Sequence, residues 1–322
     1  MSPRARVNAV VAAAPVLVVG AVVGVTVLQT RGSQTTEPGA VAKPRAGIPL
    51  LLFDYGTRND AETRDLARGA ALLKQGKRVQ AAALFSRYHS VQAQIGAAFA
   101  RWPDLDAVER IAARNPGSPV AQLHLGLAFL WAGRNADAAK TLEQVDSRFA
   151  DSPSAVEAEN VLFAGRDVPG LPYIVLPVAL PRAPTLARQL ARAEVLSRNG
   201  GAQEKLVYGL MLWRLDRRVS ARRELDAAAR LAPNDPAIRT AAAVSHFTKR
   251  NPAAAFGRLG PLTGRFPQAS VVRLHLGLLL VWTKQVKRGA VELRLAIKQQ
   301  PGSVYAEEAK KLLSALVTNG TK

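Results

Sequence analysis

Pro233, Pro267 and Pro301 recur in this chain at a spacing of 34 residues, and Gly209, Ala243 and Gly277 recur at the same spacing. Twelve residues after each small residue stands another, Ala221, Ala255 and Gly289, and four residues further on come Leu225, Leu259 and Leu293. A period of this length is the mark of a supersecondary unit that stacks on copies of itself to bury a shared core. Small residues at fixed positions allow two helices to cross closely, and a proline at the end of the unit stops the second of them. Alanine and leucine are abundant while aromatic residues make up 6% of the chain, a balance that favours helix. The expected fold class is all-α.

The plan extends upstream. Leu123-His124-Leu125-Gly126-Leu127, followed by Trp131, Gly133, Ala138 and Leu142, nearly duplicates Leu274-His275-Leu276-Gly277-Leu278 before Trp282. Gly69, Gly76, Ala81 and Phe85 repeat it again, and a shorter unit around Gly96 and Ile111 ends at Pro116. On these columns the sequence resembles the tetratricopeptide repeat family, and with its apolar N-terminus it is similar to membrane-anchored bacterial members. The family's large residue near the start of the unit is absent, since Gln122, Lys205 and Arg273 stand there. The resemblance implies a right-handed superhelical solenoid of antiparallel helix pairs. Five or six pairs are expected over residues 60 to 301, closed by a cap helix from Tyr305 to Val317.

Between Arg6 and Arg31 lie 24 residues without a charge. An apolar run of about 20 residues matches a bilayer core, and a cleaved secretory signal would be shorter and end in a small-x-small site. We therefore expect a transmembrane anchor over 7–30, behind a tail of residues 1–6, with Pro15 tolerated inside it. Gly20 and Gly24 form a small-xxx-small pair through which two anchors could dimerise. Positive charges flank the span on both sides, and the short tail is the geometry of a signal anchor with the repeat domain exported across the bacterial cytoplasmic membrane. Residues 31–56 are expected as a linker, with the short apolar run Ile48 to Phe53 packing on the first helix or on the membrane surface.

The array is expected in two parts, 57–164 and 185–318, separated by an insertion at 165–184. There Pro169, Pro172, Pro177, Pro181 and Pro184 exclude a continuous helix. Tyr173 to Leu180 is too apolar to leave in water, so it should pack against repeats, a partner or lipid, and it could itself fill the solenoid's groove.

Chemistry is sparse. The absence of cysteine excludes disulfides, thiolate metal sites and cysteine nucleophiles. No phosphate loop, nucleophile elbow, paired-histidine zinc helix or calcium loop is present. His89, His124, His246 and His275 are isolated from one another, and repeat duplication accounts for the matching positions of His124 and His275. Asp104 after Pro103 reads as a helix start. No catalytic, cofactor-binding or metal-binding residue is assigned, and no enzyme activity is expected.

Two surfaces remain as candidates for binding. By the family resemblance, the first helix of each pair lines a concave groove, and Leu123, Leu127, Trp131, Leu206, Leu210, Trp213, Leu274, Leu278 and Trp282 would face it. Such a groove suits a protein or peptide partner with apolar anchors, although leucines at helical spacing also serve simply as core. The second candidate is Arg214, Arg217, Arg218, Arg222 and Arg223, the densest basic cluster of a chain with 44 Lys and Arg against 24 Asp and Glu. It could hold an anionic polymer or lipid, and the lack of interleaved aromatics argues against nucleic acid. The leading expectation is a non-catalytic scaffold at the membrane in envelope assembly or secretion. A binder of anionic envelope polymer or lipid is the alternative.

Overall fold

The computed structural model describes residues 44–165 and 168–320. The expected anchor at 7–30, its Gly20 and Gly24 pair, and the linker as far as residue 43 lie outside the described residues. Among those described, no helix is long and apolar enough to cross a membrane. Every regular element among them is helical, as the composition requires. The chain divides into two compact units that meet in sequence at Ala164 and Gly165.

The N-terminal unit opens with an extended strap, residues 44–57. Three hairpins follow: α1 (Ala61–Lys74) with α2 (Arg78–Phe85), α3 (Val91–Ala100) with α4 (Leu105–Arg114), and α5 (Pro119–Trp131) with α6 (Asn135–Arg148). A single helix, α7 (Pro153–Leu162), closes the unit. Local chemistry sets the helix starts. Asp60, Ser90, Asp104, Ser118 and Ser152 each accept a backbone N–H of the first turn, and Pro119 and Pro153 occupy first-turn positions where no N–H is needed.

In the C-terminal unit a second strap, residues 168–183, precedes the lone helix α8 (Leu186–Asn199). Hairpins then form from α9 (Ala202–Arg214) with α10 (Arg218–Leu231), from α11 (Pro236–Val244) with α12 (Ala253–Leu259) and α13 (Leu262–Arg265), and from α14 (Ser270–Trp282) with α15 (Val286–Gln299). The cap is α16 (Val304–Gly320). Pro116, Pro233, Pro267 and Pro301 all fall just past the end of a second helix, where the repeat columns require a stop.

The sixteen-residue offset between small residue and leucine proves to be a direct contact. A Cβ added to Gly126, Gly209 or Gly277 would lie 2.8, 2.8 and 2.9 Å from the side chain of Leu142, Leu225 or Leu293 respectively. At Gly277 the carbonyl of Gly289 is also within 3.0 Å, so the two backbones themselves approach. In the first hairpin of the N-terminal unit a phenylalanine takes the leucine's place. Phe85 is 1% exposed, and a Cβ on Gly69 or on Gly96 would come within 2.7 Å of its ring. Burying side chains of this size stabilises the fold by about 1.5–3 kcal/mol each.

Within the expected linker, the run Ile48 to Phe53, expected to pack on the first helix or on the membrane surface, lies against helices of its own unit, with Leu52 and Phe53 at His124 of α5. Such an apolar run is better placed on a hydrophobic groove than in water.

Candidate functional site

Each unit has a groove on the side of its first helices, and each groove holds the strap that precedes it. In the N-terminal unit the Arg45 N–H donates to the Trp131 carbonyl at 2.8 Å, and the Arg45 guanidinium lies 5.5 Å from the Trp131 ring centre. The strap bends at Gly47, where φ is +83°, a left-handed value that a side chain would oppose. Further along, the Leu52 N–H donates to Nε2 of His124 at 3.1 Å, and the Phe53 ring packs 5.3 Å from the imidazole. The rings of Phe85 and Phe99 complete this wall.

The C-terminal unit repeats the arrangement part for part. The Val168 N–H donates to the Trp282 carbonyl at 3.0 Å, Gly170 bends with φ of +85°, and the Val175 N–H donates to Nε2 of His275 at 2.9 Å. The Trp213 indole N–H donates to the Pro172 carbonyl at 2.7 Å, and Tyr173 meets Trp282 edge to face at 6.0 Å. Ile174 and Leu176 join the same buried cluster as Leu206, Leu210 and Trp213, so the strap is part of the core. The ammonium groups of Lys249 and Lys284 hold the start of the strap through the carbonyls of Val168 and Gly165.

The two imidazoles have one defined state. His124 Nδ1 lies 2.7 Å from the Val120 carbonyl and His275 Nδ1 lies 2.7 Å from the Val271 carbonyl, so that nitrogen carries the proton. Nε2 then accepts the strap. Complete burial pushes the pKa of both histidines down to about 4, which keeps them neutral at physiological pH.

Of the residues assigned to the groove from sequence, Leu123, Leu127, Leu206, Leu210, Leu274 and Leu278 are buried, none more than 3% exposed, and Leu206 and Leu210 share their cluster with Ile174 and Leu176 of the strap. Leu274, for example, packs with Leu293, Ala296 and Ala309, and Val175 of the strap packs against the same cluster. The tryptophans do meet the straps, Trp131 and Trp282 through their carbonyls and rings, Trp213 through its indole N–H. Sequence reasoning does not single out the histidines as groove residues. Their signal is the pairing of two Leu-His-Leu-Gly-Leu runs with two strap sequences of one pattern, Gly47-Ile48-Pro49-Leu50-Leu51-Leu52-Phe53 and Gly170-Leu171-Pro172-Tyr173-Ile174-Val175-Leu176. Asp104 caps α4, and His246 Nε2 pairs with Asp226 at 3.0 Å.

The five clustered arginines differ in exposure. Arg214, Arg217 and Arg223 are exposed and Arg222 is half-buried, whereas Arg218 is only 5% exposed and belongs to the interior. Positive charge is spread over the whole C-terminal unit. Residues 165–322 hold 26 Lys and Arg against 10 Asp and Glu. Among the described residues of that unit, 18 cationic side chains are exposed and Glu307 is the one exposed acid. On α15, Lys287, Arg294 and Lys298 share one outward stripe, and on α10 Arg223 and Arg230 do the same.

Hairpins of this geometry define a helical repeat protein. Residues 120–152, which span α5 and α6, match the family model of the tetratricopeptide repeat. Among solved structures, the chain is similar to a thermophilic tetratricopeptide repeat protein of Thermus thermophilus, with 19% identity, coverage of 69% of this chain and 100% of that one, and a TM-score of 0.23. It is also similar to the Cut9–Hcn1 hetero-tetramer of the APC/C, with 11% identity, coverage of 80% of this chain and 57% of that one, and a TM-score of 0.26. No curated protein matches the chain.

Proposed function

We propose that the chain is a non-catalytic scaffold whose protein partner presents an acidic surface to the C-terminal unit. Tetratricopeptide repeats generally mediate protein–protein interaction, and the repeat at 120–152 supports that class of function here. The observation that carries the finer reading is the exposed charge of the C-terminal unit, 18 cations against a single acid among its described residues. Both grooves already hold the chain's own straps, which leaves the exposed helix faces for a partner. Charge of one sign raises the rate and specificity of encounter with a complementary surface. An anchor at 7–30 would hold the scaffold at a membrane, the setting of envelope assembly or secretion.

The same observation favours a second reading, an anionic polymer or lipid bound by these cations. The test is chemical crosslinking in intact cells and affinity recovery of the full chain, beside a variant carrying Arg223→Gln, Arg230→Gln, Arg294→Gln and Lys298→Gln. A discrete acidic protein lost with the variant, and lost as salt rises to about 0.5 M, supports the scaffold. Polymer or lipid lost with the variant supports the second reading. A protein recovered equally by both chains places the partner elsewhere. Separation of cell membranes from soluble material tests the anchor independently.

A further inference from the structure

The two straps reach their grooves over different lengths of chain. Leu52 and His124 are 72 residues apart, whereas Val175 and His275 are 100 residues apart. The C-terminal unit carries the extra helix α8 between strap and groove, yet the contacts are the same: two strap N–H groups seven residues apart, a tryptophan carbonyl, an imidazole Nε2, a bend at glycine and a proline two residues later. Recognition therefore belongs to the strap and the groove, and not to the tether between them. Without a strap, the N-terminal groove would present the edge of the Phe85 ring that Phe53 meets, the Trp131 carbonyl and the His124 acceptor to water. Such a face needs an extended apolar segment with a free backbone N–H at the right place.

We propose that the groove of the N-terminal unit is a binding site for the strap of a second copy of this chain, and that two copies join by exchanging residues 44–53. The strap is tied to its own helices by one short link, 54–60. Within the link, Gly56 has φ of +54° and no atom within 4 Å of where a Cβ would stand, and Asp54, Arg58, Asn59 and Asp60 are exposed. Straightening the link opens the turn in which the Arg58 N–H donates to the Tyr55 carbonyl, and Tyr55 and Thr57 are its half-buried residues. The exchange is isologous, so both grooves close and no surface is left to propagate. The short link also gives the strap a high effective concentration at its own groove, so protein concentration and link length set the balance between the two arrangements.

The test uses the full chain with Phe53→p-benzoylphenylalanine, a photoreactive residue placed where the native ring is 5.3 Å from His124. Light and heavy-isotope copies are mixed at rising concentration, irradiated and digested. The expected result is cross-linked peptides joining a heavy strap to a light α5, increasing with concentration up to about 1 mM, the range in which a short tether competes. They should predominate in a variant lacking Thr57, Arg58 and Asn59, whose strap cannot reach its own groove. Leu52→Pro, which removes the N–H that His124 accepts, should lower the mixed cross-links several-fold. Cross-links confined to single copies at every concentration would overturn the proposal. That outcome is read on chains with the full link, so it stands even where the shortened chain fails to fold.

Discussion

Nε2 of His275 accepts the backbone N–H of Val175 at 2.9 Å across 100 residues of chain, and Nδ1 of the same ring is engaged by its own helix at Val271. A side chain usually associated with titration and catalysis is used here as a fixed neutral acceptor. His124 does the same for Leu52.

This sets a pH dependence. Both histidines have folded pKa values of about 4, below the ordinary 6.5. The unfolded chain therefore binds more protons between pH 6.5 and 4, and stability falls as pH falls through that window. The loss is on the order of 3 kcal/mol per histidine by the bottom of the window. Urea unfolding measured from about pH 7.5 to about 4.5 should show it, and His124→Gln with His275→Gln should flatten the slope. An unchanged slope in the double variant would refute the assignment.

Trp213→Phe should destabilise the C-terminal unit by about 1–3 kcal/mol, because the Pro172 carbonyl loses a buried donor at 2.7 Å while the ring volume shrinks. Amide hydrogen exchange is the check. Protection of the 168–180 strap should fall, and that of α1 to α7 should stay as it was.

Gly277→Ala should cost about 1–3 kcal/mol, since the new Cβ meets Leu293 at 2.9 Å and a backbone carbonyl at 3.0 Å. Gly257 is also inside a helix, but a Cβ there meets nothing within 4 Å. Gly257→Ala should therefore stabilise by about 0.5–1 kcal/mol through helix propensity alone. Thermal unfolding of the two variants should move in opposite directions.

Trp282→Ala removes the ring on which Tyr173 packs at 6.0 Å. Its carbonyl still accepts Val168, so the strap keeps its backbone anchor. The expected loss is about 3 kcal/mol from the cavity, seen as a lower unfolding midpoint with the helical signal at low temperature retained.

Much of this architecture is legible in residues close together in the chain. The columns at Gly209 and Gly277, at Leu225 and Leu293, and at the terminal prolines record helix crossings and helix ends within one hairpin, where contact partners are sixteen residues apart. The capping role of Asp104 is legible for the same reason. The site is less so. His124 looks like a by-product of duplication because its partner is a backbone N–H, which leaves no side-chain signature. The groove leucines look like candidate anchors because periodicity identifies a buried face without saying what buries it. Arg218 looks like surface because charge alone does not report burial.

The sequence by itself determined the helical class, the repeat period and the stops, since propensity, small-residue crossings and proline act over one or two turns. Only the tertiary structure decided what fills the grooves, which tautomer the buried imidazoles adopt and where exposed charge gathers. Those depend on groups 72 and 100 residues apart being brought within hydrogen-bond distance, and on which faces of each helix are covered once the pairs have stacked.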